Sequence, residues 1–245
     1  MNSNTHTEVQ YHIVRIPTTS PHLADLVTKF RDTKLLALQT SPSEWIYQHA
    51  LEASHPLSVW QSRLIRQNTI LICVATSAPV TSSEDALIQG EWVGFAAARG
   101  PLSFEEYYPV PEMQQTLPDD PDAETRWHIY DLYTFPANRG QGIARKLGAA
   151  CMATVSEITA TSKASGGNVR RARIRLFVNP KNTVLVDTYE RLGFQMSGRV
   201  TLREGFEANG MRESIPSEDS MSAEDFKKMF DTRYGMAMER VVDVE

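Results

Sequence analysis

The chain has 245 residues, 41% of them hydrophobic and 22% charged, with a formal net charge of −5. This is the composition of an ordinary globular protein with ample length for a core, and it supplies no global basic field to draw in nucleic acid or an anionic membrane. No apolar run reaches the ~18 residues of a membrane-spanning helix, and the first residues, "MNSNTHTEVQ", lack the basic and apolar regions of a secretory signal, so a cytosolic (cytoplasmic) or nuclear protein is expected.

Residues 1–10 read as a flexible tail and residues 11–245 as one domain. "HIVRI" (12–16) is a first strand. From Pro21 to about Gln39 a helical pattern follows, with Leu23, Leu26, Val27, Phe30 and Leu35 near a 3.6 period, until Pro42 breaks it. Residues 43–67 form a second helical region, with Ser43 as N-cap and an interruption at Pro56. "TILICVAT" (69–76) and "EWVGFAAARG" (91–100) read as antiparallel strands separated by the turn-rich "SAPVTSSEDA". Residues 101–125 hold five prolines, seven Asp or Glu and no Lys or Arg, the marks of a long loop insertion running to residue 126. "WHIYDLYTF" (127–135) is a strand. A helix from about Gln141 to Thr161 places Ile143, Leu147, Cys151, Val155 and Ile158 on one face. "SGGN" (165–168) is a flexible break, "RARIRLFVN" (171–179) alternates as a strand, and a helix from about Thr183 to Leu192 stops at Gly193. "FQMSGRVTL" (194–202) is another strand, 203–232 an extended polar segment with one short helix near "AEDFKKMF", and "GMAMERVV" (235–242) the last strand. Cys73 and Cys151 fit neither a disulfide framework nor a metal spacing, and read as reduced packing residues.

The order β-α-α-β-β-β-α-β-α-β-β, free of internal repeats, fits an α/β fold with one mixed sheet and helices on both faces. One stretch bears chemistry. In "DLYTFPANRGQGIARKLG" (131–148) a strand ends, a glycine turn follows and a helix begins. The Walker A spacing and its Lys-Ser/Thr are absent. The dinucleotide pattern fails at Arg145 and lacks its βαβ setting. Gly140 and Gly142 would let backbone amides approach an anion at a helix N-terminus, with Arg139, Arg145 and Lys146 adding positive charge. The glycines alone do not distinguish a pyrophosphate cradle from a tight turn.

The run Arg139-Gly140-Gln141-Gly142-Ile143-Ala144 matches R/Q-x-x-G-x-G/A, and "NPKNTVLVDTYERLGF" (179–194) carries Asn182, Tyr189, Gly193 and Phe194 in the register N-x-x-A-x-x-L-Y-x-x-x-G-F. Together these resemble the pyrophosphate loop and downstream signature of the GCN5-related N-acetyltransferase (GNAT) superfamily. Leu185 stands where a small Ala is usual and Thr188 where a Leu is usual. The resemblance is strong over 127–200.

The resemblance implies a mostly antiparallel sheet of about seven strands, splayed between the fourth and fifth, in one domain. It implies acetyl-CoA as acyl donor, no metal, and transfer to a primary amine of a small molecule by direct attack in a ternary complex. A protein lysine or N-terminus is the alternative acceptor, and a non-catalytic CoA-binding protein the alternative class. The cofactor-binding set would be Leu132 and Thr134 as backbone donors, Tyr133 at a strand bulge, Arg139, Gly140, Gln141, Gly142, Ile143, Ala144 and Arg145 in the loop, and Asn182 and Tyr189 downstream. Tyr189 would protonate the leaving thiolate, as a phenol of pKa about 10 can at neutral pH. Superfamily members often place Glu or His eleven residues before the Arg or Gln of the loop. That position is His128 here, the candidate general base. Alternation along the strand puts His128 and Tyr130 on one face and Asp131 on the other, absent a bulge. The acidic loop, where Phe104, Tyr107 and Tyr108 interleave with Glu105 and Glu106, could cage a cationic amine. Neither nucleic acid nor membrane is an expected partner, and the chain would be a monomer or homodimer.

Overall fold

The computed structural model describes residues 9–76, 81–108, 117–164 and 168–243. Most of the expected tail (1–8), the middle of the acidic loop (109–116), residues 165–167 of the expected break and the Cys73 side chain lie outside them.

Seven strands form one sheet: β1 (Gln10–Arg15), β2 (Asn68–Thr76), β3 (Glu91–Arg99), β4 (Glu124–Thr134), β5 (Arg171–Val178), β6 (Gln195–Thr201) and β7 (Tyr234–Asp243), in the order β1-β2-β3-β4-β5-β7-β6. All neighbours are antiparallel except β4 and β5. That parallel pair needs a crossover, supplied by the 22-residue helix α6 (Ile143–Ala164). α6 lies on one face, burying Ile143, Leu147, Cys151 and Val155 against Trp127, Ile174 and Leu176. A fully buried aliphatic side chain contributes roughly 1.5–3 kcal/mol, so this stripe anchors the helix and the turn before it.

The opposite face is covered by α1 (Leu23–Thr40), α2 (His49–Ser54), α3 (Leu57–Ile65), α8 (Leu202–Ala208) and α9 (Ala223–Phe230). Phe30, Trp60, Phe95, Phe206 and Phe230 form the centre of that core. Between the strands lie α4 (Ser83–Gln89), α5 (Phe104–Tyr107) and α7 (Thr183–Arg191).

The structure departs from the sequence expectations in four places. The "SAPVTSSEDA" stretch ends in a helix: Ser82 caps α4 by accepting from the Asp85 amide at 3.0 Å. Ser43 caps no helix; it lies in a short 3-10 turn, and Trp45 and Tyr47 beyond it reach into the core side by side, 6.2 Å apart. In the polar segment 203–232, a capping box of Thr201 and Glu204 starts α8. Its Phe206 and the Phe226 and Phe230 of α9 cover the sheet.

The fourth departure is the acidic loop. Ser103 and Glu106 form a capping box around the single turn α5, which docks its rings on the sheet. Tyr107 is fully buried, and its hydroxyl donates to Glu239 at 2.8 Å. The Arg175 guanidinium lies 4.2 Å from the Tyr107 ring centroid, and that of Arg126 lies 5.4 Å from Phe104. Tyr108 donates to Glu124 at 3.4 Å, and Glu124 also pairs with Arg173 at 3.1 Å. The amine-cage expectation is therefore corrected: these rings do bind cations, and the cations are the protein's own arginines.

Candidate active site

The sheet opens where β4 and β5 part. Their pairing ends at Ile129 with Leu176; beyond it β4 stays with β3 as far as Thr134 opposite Gly94, and β5 stays with β7 as far as Val178 opposite Met236. A bulge in β4 accompanies the opening. Ala97 faces Tyr130 and Phe95 faces Tyr133, so Asp131 and Leu132 together stand opposite Ala96. Asp131 takes the left-handed φ of +55°, which Asp tolerates better than most side chains. The expected bulge thus lies one step earlier: Tyr133 is back in register, buried, with its hydroxyl 3.0 Å from Ser41 Oγ.

The bulge also overturns the expected alternation. Tyr130 and Tyr133 belong to the core beneath α1, and Asp131 joins that side by pairing with Lys34 of α1. Leu132 packs instead toward α6. The Phe135 amide donates to Val93 of β3 at 3.0 Å, so in an extended strand the amide of Thr134 points away from β3, into the opening. The Thr134 carbonyl lies on that same side, where Arg139 Nε donates to it at 3.0 Å.

The turn at 136–142 closes this end of the opening. Gly140 and Gly142 have φ of +79° and +74°, left-handed values that L side chains adopt at a cost of roughly 1–2 kcal/mol. A Cβ on Gly140 would meet nothing within 4 Å, so conformation, not crowding, calls for glycine there. Such a turn aims consecutive amides at one point, and α6 begins directly after it. The first turn of α6 holds no acid and contains Arg145 and Lys146. Backbone amides and positive charge at a helix start can hold an anion.

The other side chains of the turn are spoken for. The Tyr11 hydroxyl donates to Gln141 Oε1, tying the turn to β1. Arg139 pairs with Glu44 at 2.8 Å, both about half exposed, and lies 5.7 Å from the Tyr133 ring. Ile143 is buried and Ala144 exposed at the helix start. Asn182 is the N-cap of α7, its side chain accepting from the Leu185 amide at 3.2 Å. Leu185 and Val184 are exposed. Tyr189, on the inner side of α7, sits edge-on to Phe194 with centroids 5.9 Å apart, and burial pushes its phenol up to about 12.

His128 lies apart from the opening. It is fully buried, and its Nε2 donates to Asn209 Oδ1 at 2.8 Å, while Asn209 donates in turn to the Tyr47 hydroxyl at 2.5 Å. Burial, helped by the Arg175 charge, holds its pKa well below the usual histidine value. It stays neutral at physiological pH, with no face open to solvent.

Sequence reasoning missed Lys34, Glu44 and the true side of Asp131. Lys34 did leave a trace, for it stands between Phe30 and Leu38 on the apolar stripe of α1, where a lysine is out of place. A bulge has no comparable signature in one sequence.

Residues 121–215 match the family model described as an acetyltransferase (GNAT) domain. No curated protein matches. Among solved structures, the chain is similar to Arabidopsis thaliana NAA60 in complex with a bisubstrate analogue, at 12% identity and a TM-score of 0.49, covering 97% of this chain and 99% of that one. It is similar to a putative acetyltransferase from Acinetobacter baylyi ADP1, at 12% identity and a TM-score of 0.48, over 97% and 94% of the two chains. It is also similar to the aminoglycoside N-acetyltransferase AAC(6')-Iy in complex with CoA, at 18% identity and a TM-score of 0.44, over 79% and 93%. The matched residues 121–215 hold β4, the glycine turn, α6, β5, α7, β6 and α8.

Proposed function

We propose that this protein transfers the acetyl group of acetyl-CoA to a primary amine. The observations that carry the reading are a turn with two left-handed glycines ahead of α6, a bulge in β4 where it parts from β5, and a partly buried tyrosine on α7. In this reading the amides of the turn and of the first residues of α6 hold the pyrophosphate, with Arg145 beside them. The Leu132 and Thr134 amides hold the acetyl carbonyl and stabilise the charge that develops on its oxygen. Removing one such donor from an enzyme costs about 10²–10³ in rate. Exposed Val184 and Leu185 offer apolar surface to the pantetheine arm. The Tyr189 hydroxyl supplies a proton to the leaving sulfur, and burial keeps it protonated well above neutral pH. His128 enters this scheme as a neutral packing residue, since it has no route to a substrate proton.

Two linked measurements test the proposal. Acetyl-CoA should raise the melting temperature, and free thiol should then appear only when an amine is supplied from a panel of polyamines, aminosugars and lysine or N-terminal peptides. Stabilisation without thiol from any amine would favour a CoA-binding protein without turnover. No stabilisation would remove the reading.

A further inference from the structure

Of the groups around the opening, one ion pair has no part in the scheme above. Lys34 reaches from α1 to the Asp131 carboxylate at the bulge, and the two side chains are 0% and 5% exposed. Lys34 Nζ also lies 4.2 Å from the Tyr47 ring centroid and 3.9 Å from Met211 Sδ, so it is closed in on every side. Taking such a pair out of water costs several kcal/mol per ion, and an apolar pair of equal volume would be no less stable. Stability does not account for it.

Position does suggest a role. Asp131 directly precedes Leu132, whose amide is assigned above to the acetyl carbonyl, and consecutive Cα atoms are about 3.8 Å apart. Its carboxylate lies on the α1 side of the sheet, whereas the glycine turn leads into α6 on the other side. With the donor held from the α6 side, a second substrate reaches the opening from the α1 side, where the carboxylate stands. Lys34 engages Oδ2, and among the described residues no other group hydrogen-bonds the carboxylate. The pair is shut from behind and retains its small exposure at the carboxylate.

We propose that Asp131 receives the acceptor amine and takes its proton, and that Lys34 is the positioning residue that holds the carboxylate there. The proposal rests on the acetyl-transfer reading and specifies the acceptor as a cationic primary amine. The ammonium hydrogen-bonds the free carboxylate oxygen and gives it one proton, while Lys34 holds the carboxylate in place. The neutral nitrogen then bonds to the acetyl carbon, the C–S bond breaks and the thiolate takes the Tyr189 proton. The second nitrogen proton returns through water to Tyr189, and the proton on Asp131 leaves to solvent. One ammonium and one thioester thus give one amide, one thiol and one proton.

The test uses Asp131→Asn and Asp131→Gly, since both residues accept a left-handed backbone. Asp131→Asn should leave stabilisation by acetyl-CoA unchanged, weaken amine binding to the CoA-saturated protein by about tenfold or more in calorimetry, and lower kcat by about 100-fold. Formate should restore at least about tenfold of the activity lost in Asp131→Gly by standing in for the carboxylate. Lys34→Met should lower kcat more than it changes the KM for acetyl-CoA, and Lys34→Arg should recover most of that loss. Full amine binding and turnover in Asp131→Asn would overturn the assignment, as would an Asp131→Gly protein that still binds acetyl-CoA yet ignores formate. Loss of acetyl-CoA binding in Asp131→Asn would also overturn it, by making the carboxylate a support of the strand. Absence of both acetyl-CoA binding and turnover in the unaltered protein would instead overturn the acetyl-transfer reading, and this one with it.

Discussion

His128 is fully buried and Tyr189 partly so, and burial moves their proton affinities in opposite directions. In Tyr189 it disfavours the phenolate, so the folded pKa of about 12 exceeds the unfolded value of 10.0. The resulting contribution to stability is full below pH 10 and fades as pH rises toward 12. The acid role assigned to Tyr189 therefore survives across the neutral and mildly alkaline range. Tyr189→Phe should lower kcat by about 10²-fold or more while leaving the affinity for acetyl-CoA within about twofold. A Phe variant with full turnover would remove the assignment. In His128 burial disfavours the imidazolium, and the folded pKa falls well below 6.5. Here the contribution is full above pH 6.5 and is lost as pH drops below it. His128→Gln should keep the shape of the rate profile between pH 6 and 9 and lower stability by about 1–3 kcal/mol through the disturbed bond to Asn209. An inflection present in the unaltered protein and missing from that variant would restore His128 as a base.

At the scale of elements, the glycine turn was readable from sequence because left-handed glycines before a helix form a local pattern. The place of the bulge in β4, expected at Tyr133 and found at Asp131 and Leu132, was not, because it depends on how β4 registers against β3. One extra residue there moved Asp131 to the face where Tyr130 already stood. The roles of Arg139 and Asn182 shifted for a similar reason: motif positions say where a residue stands, and the neighbours decide what its side chain does. Arg139 is held by Glu44, which comes from the turn after α1, so that turn and the glycine turn are linked. A half-exposed pair like this contributes under about 1 kcal/mol to stability. Glu44→Ala should thus leave the melting temperature nearly unchanged. It should tighten acetyl-CoA binding by about two- to fivefold, the charge of Arg139 no longer being offset. Weaker binding would show that the pair supports the turn instead.

Across the whole molecule, the order of seven strands and the helical crossover after β4 were readable because hydrophobic periodicity reports them directly. Polar sequence hid α8 and much of the acidic loop's role, since Phe206 and Tyr107 bury their rings within strongly charged stretches. The loop belongs to the far end of β4 and β5, where it covers the arginines opposite Glu124 and Glu239. Tyr107→Ala should accordingly destabilise the protein by about 3–5 kcal/mol. The KM for the amine should not change, whereas a raised KM with unchanged stability would return the loop to the substrate site. In the proposed function the glycine turn and the bulge together hold acetyl-CoA. Its most direct test is a titration of the 15N-labelled protein with acetyl-CoA, followed by amide chemical shifts. The largest changes should fall on Leu132, Thr134, Gly140, Gly142 and the first residues of α6. Saturating acetyl-CoA that left these amides in place, or moved only amides elsewhere on the chain, would contradict the account.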